Sequence, residues 1–401
     1  MESDFQHCIR CTICVENCPV FRVNPEFPGP KQAGPDTERF RCDEETSLDK
    51  WIGLCSQCKR CEVACPYGVD PAEIILREQL TYGEKHFRPL ANRLFANNYY
   101  LGAFSSALAP LVNTFASLRF IQKIMNVVGL STYMPFPGFY VHTLRRSWRW
   151  KGRRNSSRKV AFFYGCFLNY NRPDIGRGIR DLLASLGLKV VMPKQVCCGL
   201  PALGNGDMRT ARKFARRNAE ILAGYIDKGY DVVYACTSCG HTLTHDYPGI
   251  LNVPAGKKIA ENTYNLNEYI VKLIEEDHID PEFGPVPLKV AYHIPCHLRA
   301  SAIGYPAASL FEKIPGLECH VLDDHCCGLS GSYGFKRKNQ GTAIKLGRTA
   351  AAEVRACDPD YIVSDCGACR MQLGHFADLP VLDPSEIIIR SLIRPAKTTK
   401  K

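Results

Sequence analysis

The chain has 401 residues, with 45% hydrophobic and 23% charged residues, so it is long enough for two or three ordinary globular domains. Its 21 cysteines, in a long chain opening on "MESDFQHCIRC" with no basic then apolar leader, argue against a short secreted disulfide scaffold. They lead us to expect a reducing cytoplasm and metal-bound thiolates. The net charge is +11, and eight of the basic residues fall between Arg145 and Lys159 with no acidic residue among them. Such a run suits an anionic surface, either nucleic acid or membrane.

Residues 1–92 carry "CIRCTICVENCP" and "CSQCKRCEVACP". Cys8, Cys11, Cys14 and Cys18, and again Cys55, Cys58, Cys61 and Cys65, read C-x2-C-x2-C-x3-C-P, the ferredoxin spacing for a [4Fe–4S] cluster. The x2 gaps let one tight loop offer three thiolates to one cube. The proline turns the chain away after the fourth cysteine. In two-cluster ferredoxins the fourth cysteine serves the other cluster. Cys8, Cys11, Cys14 and Cys65 are therefore expected on one cluster, and Cys55, Cys58, Cys61 and Cys18 on the second. Zinc prefers two separated pairs and fits these unbroken runs poorly. Between the motifs, a Pro/Gly-rich loop from Asn24 precedes a helix-like "SLDKWIGLC" opened by a Ser cap. A small, mostly helical two-cluster domain is expected.

Residues 93–157 are helical by pattern. Leu94–Leu118 and Ile124–Leu144 lack Lys, Arg, Asp and Glu, yet Asn97, Asn98, Pro110, Pro135 and Pro137 interrupt them. Interfacial helices suit these stretches better than membrane spans, with Phe95, Tyr99, Tyr100, Phe104 and Phe115 near the headgroups. Arg145, Arg146, Arg149, Lys151, Arg153 and Arg154 would then face anionic lipid. Packing on a partner subunit or on the chain's own core is the competing reading.

Residues 158–250 and 287–395 form an internal duplication. Cys166, Cys197, Cys198, Cys236 and Cys239 read C-x30-CC-x37-C-x2-C, and Cys296, Cys326, Cys327, Cys366 and Cys369 read C-x29-CC-x38-C-x2-C. Strands "KVAFFYG" and "KVAYHIP" run into the first cysteine of each set, and "DVVYAC" and "DYIVSDC" into each C-x2-C. Alternating helices make each unit an α/β domain with a mainly parallel sheet, its cysteines converging at the carboxyl ends of the strands. Gly199, Gly240, Gly328 and Gly367 are expected to give the backbone room beside a cluster. Five thiolates exceed a cube or a tetrahedral zinc site. An unusual iron–sulfur cluster and a four-cysteine zinc site both stay open. Cys42, Cys319 and Cys357 belong to no set and read as ordinary thiols. His241, His293, His297 and His325 lie beside the cysteines and read as hydrogen-bonded neighbours rather than ligands. Residues 251–286 read as a linker with one helix over residues 266–276. No nucleotide-binding fingerprint is present.

The motifs "RVNPEFPGPKQAGPDTERF", "APLVNTFASL", "VAFFYGCFLNYN", "VCCGLP", "DYPGILNV", "HIPCH", "IPGLE", "CCGLSGSYGFKRKN" and "IVSDCGAC" resemble, over nearly the whole chain, the family of iron–sulfur subunits of anaerobic glycerol-3-phosphate dehydrogenases. The twin repeats alone are similar to the CCG domains of heterodisulfide reductase and of glycolate and lactate oxidising iron–sulfur subunits. The resemblance implies two [4Fe–4S] clusters and further clusters, or zinc, in the CCG domains. It implies flavin-bearing partner subunits in a heterotrimer and electron delivery to membrane quinone. The place it implies is peripheral, at the cytoplasmic face of the cell membrane, with no nucleic-acid partner and no flavin or substrate site on this chain. A lactate or glycolate complex, and a heterodisulfide-reductase-like catalytic subunit, are the alternatives.

Overall fold

The structure, a computed structural model, describes residues 5–43, 50–116, 118–147 and 158–398, without the side chains of 41–43 and 394–398. The described part of the first 92 residues is helical, with its longest helix at Pro71–Lys85. Pro at the first helical position and buried Ile74, Ile75, Leu76 and Leu80 explain that helix. The expected loop before it differs. Gln32–Asp36 is a π-helical turn running into the helix Thr37–Asp43, with Ala33, Gly34 and Pro35 buried. Asp36 holds this turn, accepting from Lys31 at 2.6 Å and Arg39 at 3.0 Å. Of the expected "SLDKWIGLC" helix, residues 47–49 lie outside the described residues, and the rest is one 3-10 turn, Ile52–Leu54.

The charge-poor stretch breaks into the helices Leu90–Ala96, Asn98–Ala107, Ala109–Ala116 and Arg119–Val127. No helix among the described residues is long and apolar enough to cross a membrane.

The first repeat builds β1 (Lys159–Phe163), β2 (Lys189–Val191), β3 (Tyr230–Tyr234) and β4 (Thr263–Asn265). They form a parallel sheet in the order β2-β1-β3-β4. After β5 (Ile279–Phe283), the second repeat builds β6 (Leu288–His293), β7 (Leu317–Leu322), β8 (Tyr361–Val363) and β9 (Val381–Leu382), parallel in the matching order β7-β6-β8-β9. β10 (Leu392–Thr398) returns antiparallel to β5. The expected linker is therefore partly domain: β4 completes the first sheet, and the helix Leu266–Glu275, fixed by an Asn265–Glu268 capping box, packs beneath it. A three-residue strand carries too little pattern to be read from sequence.

Strand alternation divides the core. Val160 and Phe162 point into one apolar cluster, which also takes Val290 and Tyr292 of the second repeat. Ala161 and Phe163 point to the opposite face, with Cys197, Cys198 and Cys239. One continuous core thus welds the two repeats, and each keeps its own cysteine-bearing face.

Candidate metal centres

Both ferredoxin-type loops share one backbone device. Arg10 and Thr12 in the first, and Gln57 and Lys59 in the second, are non-glycine residues at φ 63°, 68°, 56° and 60°. These are the same motif positions, before and after the second cysteine. Left-handed backbone costs an ordinary residue about 1–2 kcal/mol, and such strain gathers at functional sites. Here it curls three thiols toward one point.

Cys8, Cys11, Cys14 and Cys65 line a small cavity of about 20 Å³. Burial, then its neighbours Cys8, Cys65 and Cys11, push the Cys14 thiol up to about 11. Cys18 falls in the other group. Burial, then Glu62, Cys55, Cys18 and Cys14, push Cys61 well up, and burial takes Cys55 up to about 12. Two N–H groups aim at sulfur: Phe21 N–H donates to Cys18 at 3.5 Å and Gln57 N–H to Cys55 at 3.4 Å. Buried thiols held this far from ionisation fit a multivalent metal centre, whose binding would release their protons.

The two repeat sets assemble as rows. In the first, Cys166 meets Cys197, Cys197 meets Cys198, Cys198 meets Cys239, and Cys239 meets Cys236. In the second, Cys296, Cys326, Cys327, Cys369 and Cys366 do the same, with Cys296 Sγ and Cys326 Sγ 3.8 Å apart. Protons are shared unevenly along the second row. Hydrogen bonds from Cys326 and Cys58, aided by Arg60, pull Cys296 well down, while Cys326 is pushed up. All ten thiols, together with Cys55 and Cys58, line one cavity of about 620 Å³. Sequence spacing groups these cysteines but gives no sign that three groups share a chamber. The Cys58–Cys296 contact joins the ferredoxin-type part to the second repeat.

The glycines of the two repeats allow close packing around the cysteine turns. Gly199 (φ 108°) and Gly328 (φ 85°) each turn a cysteine pair, and each backs onto the helix behind it. A Cβ at Gly328 would lie 2.7 Å from Leu346 and 2.8 Å from the Ala343 carbonyl, while one at Gly199 would lie 3.3 Å from the Ala211 carbonyl. Gly240 and Gly367 make room for the rings of Tyr234 and Phe167. Each of the four thus permits close helix or ring packing, and Gly367 also lines the chamber.

Other polar groups border the chamber. Lys336 enters it, its ammonium pulled down to about 7 by burial and by Lys338. His297 lines it, hydrogen-bonded to Ser238 at 2.9 Å, and its ring stacks on buried His241 at 5.1 Å. His325 pairs with Glu353 at 3.0 Å, away from sulfur. His293 is buried beside Cys327 and Cys369. Cys319 is half-buried in β7, and Cys357 donates to the Glu353 carbonyl at 3.6 Å, so both are ordinary thiols. The Cys42 side chain lies outside the described residues.

The expected interfacial segment is two-faced. Phe95 packs on Phe335 at 6.2 Å and Tyr99 on Phe214 at 5.9 Å, so these two face inward, against expectation. Tyr100, Phe104 and Phe115 face outward, joined by Leu111, Phe120 and Val127, with Phe104 64% and Phe120 71% exposed. Arg145 and Arg146 sit in the short helix Leu144–Ser147. Arg149, Lys151, Arg153 and Arg154 lie outside the described residues.

This pairing of a helical dicluster part with two parallel-sheet cysteine domains is that of the iron–sulfur subunits of multi-subunit oxidoreductases. Residues 4–69 match the 4Fe-4S dicluster domain family, and residues 160–244 and 290–374 the cysteine-rich domain family. The chain belongs to the family that joins these domains. One relative is a subunit of the anaerobic glycerol-3-phosphate dehydrogenase of Escherichia coli K12, 35% identical over 98% of this chain and 99% of that one. A subunit of the dihydromethanophenazine:CoB–CoM heterodisulfide reductase of Methanosarcina barkeri is 22% identical over 96% of this chain and 91% of its own. A solved hypothetical protein from Helicobacter pylori shares the fold at TM-score 0.52 and 12% identity, covering 93% of this chain and 69% of that one.

Proposed function

We propose that the chain is the electron-relay subunit of a quinone-linked anaerobic glycerol-3-phosphate dehydrogenase complex, receiving electrons from flavin-bearing partner subunits in a heterotrimer and passing them toward membrane quinone. The single observation that carries the relay is the shared chamber, where thiols of one ferredoxin-type motif and of both repeats converge. The near full-length likeness to a glycerol-3-phosphate dehydrogenase subunit supports the substrate. Bound iron–sulfur clusters would supply one-electron carriers at the four cysteine groups. The donor set fits them: soft thiols, most of them buried or half-buried, with N–H groups turned on sulfur. Cys8, Cys11, Cys14 and Cys65 would hold one cubane, and Cys18, Cys55, Cys58 and Cys61 the other. The five-cysteine rows would hold larger or unusual centres. The outward apolar face of residues 100–127, with Arg145, Arg146 and the basic residues after them, would rest on the cytoplasmic face of the membrane. Aromatic and aliphatic side chains would enter the headgroup region while the cations meet anionic lipid.

The test is anaerobic co-purification with the flavin-bearing subunits. Glycerol 3-phosphate is expected to reduce the iron–sulfur EPR signals, and lactate and glycolate to leave them oxidised. The reverse pattern would sink the assignment of substrate. A second reading, chemistry on a bound disulfide as in a heterodisulfide reductase, is favoured by the two rows facing one chamber. It predicts disulfide reduction by the purified, pre-reduced chain, and inactivity there counts against it.

A further inference from the structure

The two repeats align residue for residue as they enter their first cysteine. Lys159-Val-Ala-Phe-Phe-Tyr-Gly-Cys166 matches Lys289-Val-Ala-Tyr-His-Ile-Pro-Cys296, so His293 stands where the first repeat has Phe163. Both side chains end a central strand, β1 or β6, and both are buried, Phe163 fully and His293 at 1% exposure. Alternation along the strand puts this position on the face of the cysteine pair, as Phe163 packing with Cys197, Cys198 and Cys239 shows. In the second repeat that face receives an imidazole instead. A ring nitrogen of His293 and the sulfurs of Cys327 and Cys369 all lie within 4.8 Å of one another. Nε2 of His293 is buried and has no hydrogen-bond partner among the described residues. Burying a polar group without a partner is costly, so its retention here points to an acceptor on the sulfur side.

We propose that His293 is a positioning residue of the second five-cysteine centre, donating a ring N–H to the thiolate of Cys327, and that it makes this centre the more oxidising of the two. The inference rests on the reading that both rows hold iron–sulfur centres. The physical reason is direct. Reduction adds negative charge to the centre, and an N–H aimed at a ligand sulfur stabilises that charge. Phe163 offers no such dipole to the first centre. Two sites of equal thiol count would thus differ in potential through one wall residue.

The test is an EPR-monitored redox titration of the anaerobically purified full chain, with the second centre's signal identified by its loss in Cys327→Ser. His293→Phe, which copies the first repeat's wall, is expected to lower the reduction equilibrium of that signal about tenfold, about 59 mV for a one-electron couple. Iron content should be unchanged, and His293→Asn, which keeps an N–H, should recover most of the shift. The wild-type chain labelled with 15N-histidine gives a reading that needs no variant: a weak histidine nitrogen coupling at the second centre. An unshifted midpoint in iron-replete His293→Phe, or no histidine coupling in the wild type, overturns the inference. A coupling as strong as that of a histidine-ligated centre overturns its hydrogen-bonded form. A second row that holds no iron in the wild type fails the underlying cluster reading instead, and iron analysis distinguishes that failure before any titration.

Discussion

The first and second repeats share strand order, cysteine count and glycine turns, yet their walls differ at matching positions. Phe163 corresponds to His293, Gly240 to Arg370, and Asp246 to Phe376. The common parts are those that bring five thiols together at the end of a sheet. The differing parts set charge and hydrogen bonding around them. A duplicated scaffold has therefore kept its geometry while its electrostatics diverged, as expected if two centres do unequal work on one path.

That comparison can be broken at its most costly difference. Arg370 is buried, ion-paired with equally buried Asp383, and donates to the Ser364 carbonyl at 2.9 Å. Arg370→Met leaves a buried carboxylate unpaired and is expected to cost about 3–5 kcal/mol, read as a lowered unfolding midpoint. Hydrogen exchange should quicken first in β8 and β9. A loss below about 1 kcal/mol would show the pair to be dispensable.

The paired glycines sharpen the likeness. Gly328→Ala meets both left-handed backbone and Leu346 at 2.7 Å, and should cost about 2–4 kcal/mol. Gly199→Ala, whose nearest atom is 3.3 Å away, should cost about 1–2 kcal/mol. Equal losses in thermal unfolding would mean that the helix behind Gly328 yields.

Asp246 places a titratable carboxyl where the second repeat has Phe376. Burial raises its carboxyl to about 6 from 3.8, with Lys59 opposing. The folded state thus holds this proton more tightly than the unfolded chain does. The stability it contributes is complete below about pH 4 and is lost as pH rises through about 6, up to about 3 kcal/mol. Asp246→Asn should therefore gain on the wild type as pH rises from about 4 to about 6 in paired thermal scans. Parallel curves would contradict the assignment.

The smallest effects concern the outward face. Phe104→Ser with Phe120→Ser should weaken binding to anionic vesicles by about 1–3 kcal/mol in sedimentation. Neutralising Arg145 and Arg146 should remove about 1 kcal/mol each and the salt dependence with it. Undiminished binding would assign that face to a partner subunit.

Most of this organisation is legible in the sequence, because thiol spacing and strand–helix alternation are local signals. The four cysteine groups, the duplication and the parallel sheets can be read from them. What escapes depends on packing. The turn at residues 32–36 reads as loop from its glycine and proline, yet it is helical and packs so closely on the next helix that a Cβ at Gly34 would lie 3.0 Å from the Pro71 carbonyl. β4 is too short to show a period. Phe95 and Tyr99 carry the same pattern as Phe104, and only the neighbouring repeats decide which rings turn inward. His293 is visible in the sequence as one histidine of four near cysteines. Strand parity against Phe163 is the signal that singles it out.

The most direct measurement of the central claim is the iron, acid-labile sulfide and zinc content of the anaerobically purified chain, with its EPR spectrum. Two cubanes account for about eight irons. The relay account predicts iron and sulfide beyond that, with fast-relaxing signals lost in Cys198→Ser and Cys327→Ser. About eight irons or fewer, with stoichiometric zinc in the repeats, would contradict it.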